Sequence, residues 1–445
     1  MRGIFMRIKK ILCILLVLCT VLSFAGCIAS KTADITGLFD AENKISYSKT
    51  YTELSSKKEN STDSWREGMI SGNGLQGVIT SGSPYSDTLI FQNMHFVMPN
   101  QNVRYCPDTS DELETVKQCI VNGENITDDA SYDDVYRFHP GGELRIEQDE
   151  KRTSDYVRYT NYETAEVGVR YTDRNGTWLR TTFTSQSDGV TVTKLTQSSD
   201  GEKLNVTLSF DDISVMANYG DSDEQNIKYK KLVADDCSYI AMVAHYPDYE
   251  NSELKNGGYA TVTYVIAEDG EKKVTNGKTV KDAQYASDEN PQIKISDASA
   301  IYLITVSDRT YEMGAFEDFD SQTEFELIDS IVATEKEVAE KYTSDGKFDY
   351  DTALSNHVEL WQPQYDAVTL TLDGGTSSDS NEELLSAQKN KKTLNSDLVQ
   401  RAYYSGRYAY LCASGYSTSR LYGMWTGEWN TGWGSKFTMD ANVNL

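Results

Sequence analysis

Between Trp65 and Ser307 the chain runs as short β-branched and aromatic segments, each closed by Gly, Asn, Asp or Ser, and this pattern constrains the fold more than any other. Residues 167–171, 177–183 and 190–195 are of this kind. Asp173-Arg-Asn-Gly176 between the first two is a hairpin signal, because Asn and Gly both accept positive φ. Residues 204–210, 239–244, 260–266 and 300–306 read as further strands. Alternation within them turns one face inward, which predicts a large, mostly antiparallel sandwich. No fixed-period repeat accompanies the strands, so a solenoid or propeller is not expected.

The texture changes after this region. Residues 323–342 are rich in Glu, Ala and Lys without Gly or Pro, as a helix prefers. Residues 350–365 form a second expected helix, closed by a strand and turn over 368–375, and the Ser/Asp-rich 376–381 reads as a loop. A third helix is expected to start near Ser396 as N-cap, to carry Leu398, Ala402, Ala409 and Cys412 on one side, and to end near Ser414-Gly415. The remainder, 416–445, is rich in Gly, Trp and Asn, as suits a site-forming loop. At 445 residues the chain is long enough for two cores. Its last residues carry no helix stop signal, so the sequence is expected to be a fragment.

Arg2, Arg7, Lys9 and Lys10 precede a short apolar run from Ile11 to Leu22, and Phe24-Ala-Gly-Cys27 follows. The run is too short to cross a bilayer and stay, so it reads as an export signal. Its ending resembles a bacterial lipobox, in which Cys27 is acylated and becomes the first mature residue; an ordinary signal peptide with a chance cysteine is the alternative. Polar residues after Ser30 then suit a solvated tether. The expected location is the bacterial cell surface, with membrane attachment only through Cys27.

Several function classes drop out. With Lys+Arg 42 against Asp+Glu 68, the net charge is -26, which repels phosphate backbones and makes nucleic acid an unsuitable partner. Ser71-Gly-Asn-Gly-Leu-Gln-Gly77 lacks the lysine of a phosphate-binding loop, and its glycines are expected to allow a tight turn. No G-x-S-x-G or H-E-x-x-H occurs, and four scattered histidines give neither a zinc site nor a Ser-His-Asp triad. No cofactor or metal is implied. Beyond the signal, Cys106, Cys119, Cys237 and Cys412 lack metal-ligand spacing; free buried thiols are expected in preference to a Cys106–Cys119 bridge.

The densest set of candidate site residues is 422–442. Trp425, Glu428 and Trp433 stand there among glycines, with Asp440 and Asn442 downstream. Tryptophan rings stack on pyranose faces and the polar groups suit hydroxyls, so the stretch reads either as a sugar-lined wall or as a Trp-rich packing plug.

Residues 398–411, followed by Leu421-Tyr-Gly-Met-Trp425 and Trp433-Gly-Ser-Lys-Phe-Thr-Met-Asp-Ala-Asn442, resemble glycoside hydrolase family 95, the inverting α-L-fucosidase family. Upstream, Trp65-Arg-Glu-Gly68 with Gly72-Asn-Gly74 and Gly77, His139-Pro-Gly-Gly-Glu-Leu-Arg-Ile-Glu147, the stretch 156–167, and His357-Val-Glu-Leu-Trp361 are similar to that family's motifs in the same order. The resemblance implies an all-β super-sandwich, a helical linker and the truncated start of an (α/α)6 barrel. The corresponding divisions are a signal peptide (1–27), tether (28–60), sandwich (61–320), linker (321–395) and barrel start (396–445).

The resemblance also implies inverting exo-cleavage of an α-L-fucosyl or related linkage such as an α-L-galactosyl one, with a glycan as partner. The attacking water would be held by Asn442, which matches the second asparagine of the family's N-x-N, and the acid Glu and supporting Asp would lie beyond Leu445. This sequence alone is therefore expected to be inactive. Asp440 stands where the first asparagine is usual, which leaves open a direct base, a contact to another hydroxyl or a different sugar. A non-catalytic glycan-binding surface lipoprotein and a disaccharide phosphorylase of the same architecture are the rival readings. Labelling with a palmitate analogue in a bacterial host is expected to mark the wild type and to be lost in Cys27→Ala; incorporation independent of Cys27 refutes the lipobox.

Overall fold

The structure is a computed structural model and describes residues 45–51, 64–98, 113–124, 137–149, 151–198, 201–211, 228–246, 257–277, 290–309, 324–372, 378–415 and 423–427. Cys27, Cys106, Glu428, Trp433, Asp440 and Asn442 lie outside the described residues.

The strands, in chain order, are β1 (Ile45–Ser48), β2 (Met69–Gly72), β3 (Gln76–Thr80), β4 (Ser86–Asn93), β5 (Val97–Met98), β6 (Arg137–Phe138), β7 (Glu143–Glu147), β8 (Asp155–Asn161), β9 (Glu166–Asp173) and β10 (Gly176–Thr184). They continue as β11 (Thr191–Gln197), β12 (Leu204–Asp211), β13 (Lys228–Val233), β14 (Tyr239–His245), β15 (Gly258–Glu268), β16 (Glu271–Gly277), β17 (Asn290–Ala298), β18 (Ala300–Arg309), β19 (Thr343–Ser344) and β20 (Lys347–Phe348). The helices are α1 (Leu113–Asn122), α2 (Glu324–Lys341), α3 (Tyr350–Asp366), α4 (Asn381–Gln388) and α5 (Ser396–Cys412).

Two large antiparallel sheets face one another. One runs β1-β8-β9-β10-β11-β18-β15-β14-β13 and the other β16-β17-β12-β7-β4-β3-β2. The molecule is thus a sandwich followed by a helical part. Leu89, Phe91, Leu144, Leu208 and Phe210 of the seven-stranded sheet meet Ile240, Met242, Ile301 and Leu303 of the nine-stranded sheet in the inter-sheet core.

The nine-stranded sheet departs from the expected single inward face. In β14, Ile240, Met242 and Ala244 enter the inter-sheet core, while Ala241 and Val243 enter a second core. In β18, Ile301 and Leu303 face inward while Tyr302, Ile304 and Val306 meet Leu327, Ile328 and Ile331 of α2 on the other side. Strands covered on both faces read as continuous apolar runs, and Ala300-Ile-Tyr-Leu-Ile-Thr-Val306 is one. Each fully buried Leu or Ile contributes about 1.5–3 kcal/mol by leaving water.

Other expectations need correction. The hairpin β9–β10 forms, with Gly176 paired to Asp173, but only Gly176 takes positive φ (141°). Asn175 instead donates its backbone N–H to Asp173 Oδ1 (2.7 Å), an Asx turn that serves the same reversal. Residues 368–372 form no strand; the Leu370 backbone is held at both N and O by the Tyr404 hydroxyl. Asn395, rather than Ser396, caps α5, accepting from Leu398 N (3.1 Å). Ile45–Ser48 falls in the expected tether yet pairs with β8, secured by Ser46 on Asn381 and by Tyr47 donating to Ser378 O. Cys119 is a free thiol, as expected, but only partly buried.

If both faces of β18 are structural, Leu303→Ala and Ile304→Ala each cost about 2–5 kcal/mol. Urea denaturation checks this, and a cost below 1 kcal/mol for Ile304→Ala would contradict the second core.

Candidate functional site

The sequence motifs converge where the helices meet the sandwich. The β2–β3 turn is the seat. Asn73 Oδ1 accepts from Leu75 N and Gln76 N, its Nδ2 donates to Ser185 O, and Gln76 Nε2 donates to Gly189 O (2.7 Å). This fixes the turn to the β10–β11 connection. Gly74 (φ 85°) donates its N–H to Cys412 O at the end of α5 (2.9 Å), and a Cβ there would stand 2.2 Å from Ser414 O. A Cβ at Gly72 would stand 2.5 Å from Cys412 O, so the glycines allow both the turn and the close approach of a helix end.

The β8–β9 turn receives α3. Trp361 Nε1 donates to Tyr162 O (2.7 Å), and His357 bridges two backbones: its Nδ1 accepts from Gln186 N (3.0 Å) and its Nε2 faces Thr164 O (3.0 Å). That pairing fixes the neutral tautomer with the proton on Nε2. Burial pushes the imidazole down to about 4, so it is neutral at pH 7 and is a brace, not an acid–base group. Helix α5 then lies over the same turn. Tyr408 donates to Ile70 O (2.7 Å), Tyr162 and Ser405 hydroxyls hydrogen-bond, and the buried residues of α5 are Gln400, Arg401, Tyr408 and Cys412. The expected stripe is therefore corrected: Leu398 and Ala409 are only partly buried and Ala402 is exposed. The polar side chains go inward because the backbone ends of 370–372 and 378–379 need donors and acceptors there; Leu372 N donates to Gln400 and Arg401 donates to Asp379 O. Burial also raises the Cys412 thiol to about 12, which removes it as a nucleophile.

Of the predicted site residues the structure places Trp425. It is half-buried, and its ring lies against Gly72 and Gly77: a Cβ at Gly77 would be 2.9 Å from Trp425 Cζ3. Ile70 and Leu75 pack nearby in the clusters it joins. In this setting Trp425 packs the seam. The adjacent Met424 is fully buried, and Thr426 is clamped by Gln92, whose Oε1 accepts from Thr426 N (3.1 Å) and whose Nε2 donates to Thr426 O (2.8 Å). Gly427 rests on Trp65, where a Cβ would meet the indole at 2.4 Å. Gln92 was not among the expected site residues; a buried glutamine in an apolar strand was its signal. Thr426 and Gly427, which directly precede Glu428 in the chain, are thus held against the sandwich. Glu335 on α2 is fully buried and accepts from Val306 N (3.1 Å), and desolvation raises its carboxyl well above its ordinary value. Among the described residues no group of three or more His, Cys, Asp or Glu is placed to hold a metal ion.

The His357 brace has a pH signature. The folded state resists protonation down to about pH 4, whereas the unfolded group takes a proton near 6.5. Its contribution is full above pH 6.5 and lost as pH falls from 6.5 to 4, by up to about 3 kcal/mol. In chemical denaturation at pH 7.5 and 4.5, His357→Gln is expected to flatten this part of the pH dependence; an unchanged slope contradicts the neutral tautomer.

Comparison with known proteins follows this division. Residues 55–313 match the glycosyl hydrolase family 65 N-terminal domain, and residues 349–445 match the glycosyl hydrolase family 95 catalytic domain. The family 95 resemblance is therefore located in the helical part, while the sandwich takes the family 65 type. No curated protein matches the chain. Among solved structures, a protein described as a kojibiose phosphorylase from human microbiome is 11% identical, with a TM-score of 0.49, covering 86% of this chain and 44% of its own. A family GH92 α-mannosidase from Bacteroides thetaiotaomicron is 9% identical with a TM-score of 0.26, covering 78% of this chain and 38% of its own. The chain spans less than half the length of either structure. The chain belongs to the family defined by the glycosyl hydrolase family 65 N-terminal domain, and this sandwich is joined to a segment of the family 95 catalytic type.

Proposed function

We propose that the protein is an exported, lipid-anchored glycoside hydrolase that removes α-L-fucosyl or related α-L-galactosyl units from glycans with inversion. The observation that carries this reading is the family 95 catalytic-domain match over 349–445, which contains the whole 422–442 stretch. The clamp on Thr426 supports it, because it holds part of the 422–442 stretch against the sandwich. In this reading Asn442 orients the attacking water, Asp440 assists it or contacts a neighbouring hydroxyl, and Glu428 and Trp433 meet the sugar. Trp425 anchors the wall from behind. Inversion needs an acid on the leaving oxygen and a water on the opposite face, with roughly 6.5–9.5 Å between the two carboxyl positions in the usual case. Helix α5 and the residues after it would then be the beginning of an (α/α)6 barrel, with α2, α3 and α4 in its linker.

The family 65 match over the sandwich supports a second reading, a disaccharide phosphorylase in which phosphate takes the place of water. Incubation of the full-length enzyme with α-L-fucosides and α-L-galactosides, with and without phosphate, separates the two. The hydrolase is expected to release β-configured free sugar without phosphate, as followed by NMR. Asn442→Ala is expected to lower kcat by about 10²–10³ with little change in KM, as loss of a single transition-state contact does. A sugar phosphate as product would establish the second reading instead.

A further inference from the structure

One end of the sandwich carries a groove that the seam does not use. A cleft of about 720 Å³ lies between the β1 end and the start of β8, and a second of about 600 Å³ opens beside β4, β7, β12 and β17 of the seven-stranded sheet; Tyr51 lines both. Volumes of this size suit small ligands, for which clefts run roughly 300–1,000 Å³. Tyr51 is 38% exposed, and its ring is tilted against Tyr156 at 5.0 Å. Tyr156 is pinned by donating to Gly82 O (2.6 Å), so Tyr51 has a rigid aromatic backing. In the first cleft Arg170 donates to Asp155 Oδ2 (2.7 Å), its side chain is only 12% exposed, and its Nε is buried without a hydrogen-bond partner. The second cleft adds Gln148, Asn205 and Thr207, all able to meet hydroxyls.

The charges of the groove cancel. Lys49, Arg170 and Lys294 are balanced by Asp155, Glu147 and Asp149, within a chain of net charge -26. The surrounding field repels anions, and the groove holds no cationic surplus to overcome it. An exposed tyrosine face flanked by amides and hydroxyls with no net charge fits a neutral polyhydroxylated ligand.

We propose that this groove is a glycan-binding site separate from the catalytic segment, taking a neutral oligosaccharide chain that stacks on Tyr51 and runs from the Arg170–Asp155 pair toward Asn205. It shares with the functional reading only the ligand class, and rests on that reading to that extent. None of its lining residues packs on Trp425.

The test is native affinity electrophoresis of the purified chain through gels containing xyloglucan, β-galactan or α-mannan, which requires no turnover. Retardation by at least one polysaccharide is expected. Tyr51→Ala is expected to weaken it at least tenfold, Tyr51→Phe to retain it, and Asn205→Trp, which fills the second cleft from an exposed position, to weaken it as well. Melting curves show that the variants are folded. Absence of retardation with all three polysaccharides overturns the proposal, as does retardation unchanged in both Tyr51→Ala and Asn205→Trp. Failure to release sugar from fucosides would count against the hydrolase reading and leave this result untouched.

Discussion

Burial of β10, β11, β14, β15 and β18 of the nine-stranded sheet on both faces is the constraint from which the rest follows. A sheet whose second face is as apolar as its first cannot stay in water, and α2 supplies the cover through Leu327, Ile328 and Ile331. The end of α2 is tied down in turn. Lys341 and Tyr342 tie its end to Asp188, Phe348 N donates to Glu268, and Tyr350 hydrogen-bonds Glu166. These contacts set the start and direction of α3, and with them the positions of His357 and Trp361 on the β8–β9 turn.

The second consequence concerns what the ordered motifs do. Gly72-Asn-Gly74 and Gly77 take the end of α5 and the Trp425 ring, the 156–167 stretch receives His357 and Trp361, and Tyr408 reaches back to Ile70. His139 of the His-Pro-Gly-Gly stretch is fully buried, faces the Tyr246 hydroxyl at 2.7 Å and stacks on Phe96, while Gly142 N donates to Thr261. These residues join the two layers of the sandwich and join the sandwich to the helices. Glycine recurs in them because backbones approach where a Cβ would clash, and buried Asn, Gln and His recur because loop backbones without ladder partners need side-chain donors and acceptors. The same packing surrounds Trp425 and Thr426, within the candidate stretch 422–442.

How far the sequence could be read varied with how local the signal was. Helix α2 was legible to within a residue or two, because eighteen residues with strong helix formers and no breaker carry their own instruction. Strands β12, β14, β15 and β18 were legible from apolar and β-branched runs. Strands β13 and β16 were not: Lys-Tyr-Lys-Lys-Leu-Val and Glu-Lys-Lys-Val-Thr-Asn-Gly are too charged to announce a strand and gain their pairing from neighbours. Helix α4 was missed although Ser380 and Glu383 form a capping box, because eight residues give too little periodicity to weigh against the surrounding Ser and Asp. The buried face of α5 was misread since its partners are unpaired loop backbones, which periodicity does not see.

The sequence by itself determined an all-β region followed by helices, and the stretch in which candidate site residues gather. These follow from local propensity and turn chemistry, both properties of neighbouring residues. Tertiary structure alone decided that the middle of the nine-stranded sheet has two buried faces, that Trp425 packs on Gly72 and Gly77, that His357 is a neutral brace, and that Gln92 holds Thr426 from more than three hundred residues away in the chain. Each of these depends on which desolvated group finds which partner once distant segments meet, and no window of sequence contains both halves of such a pair.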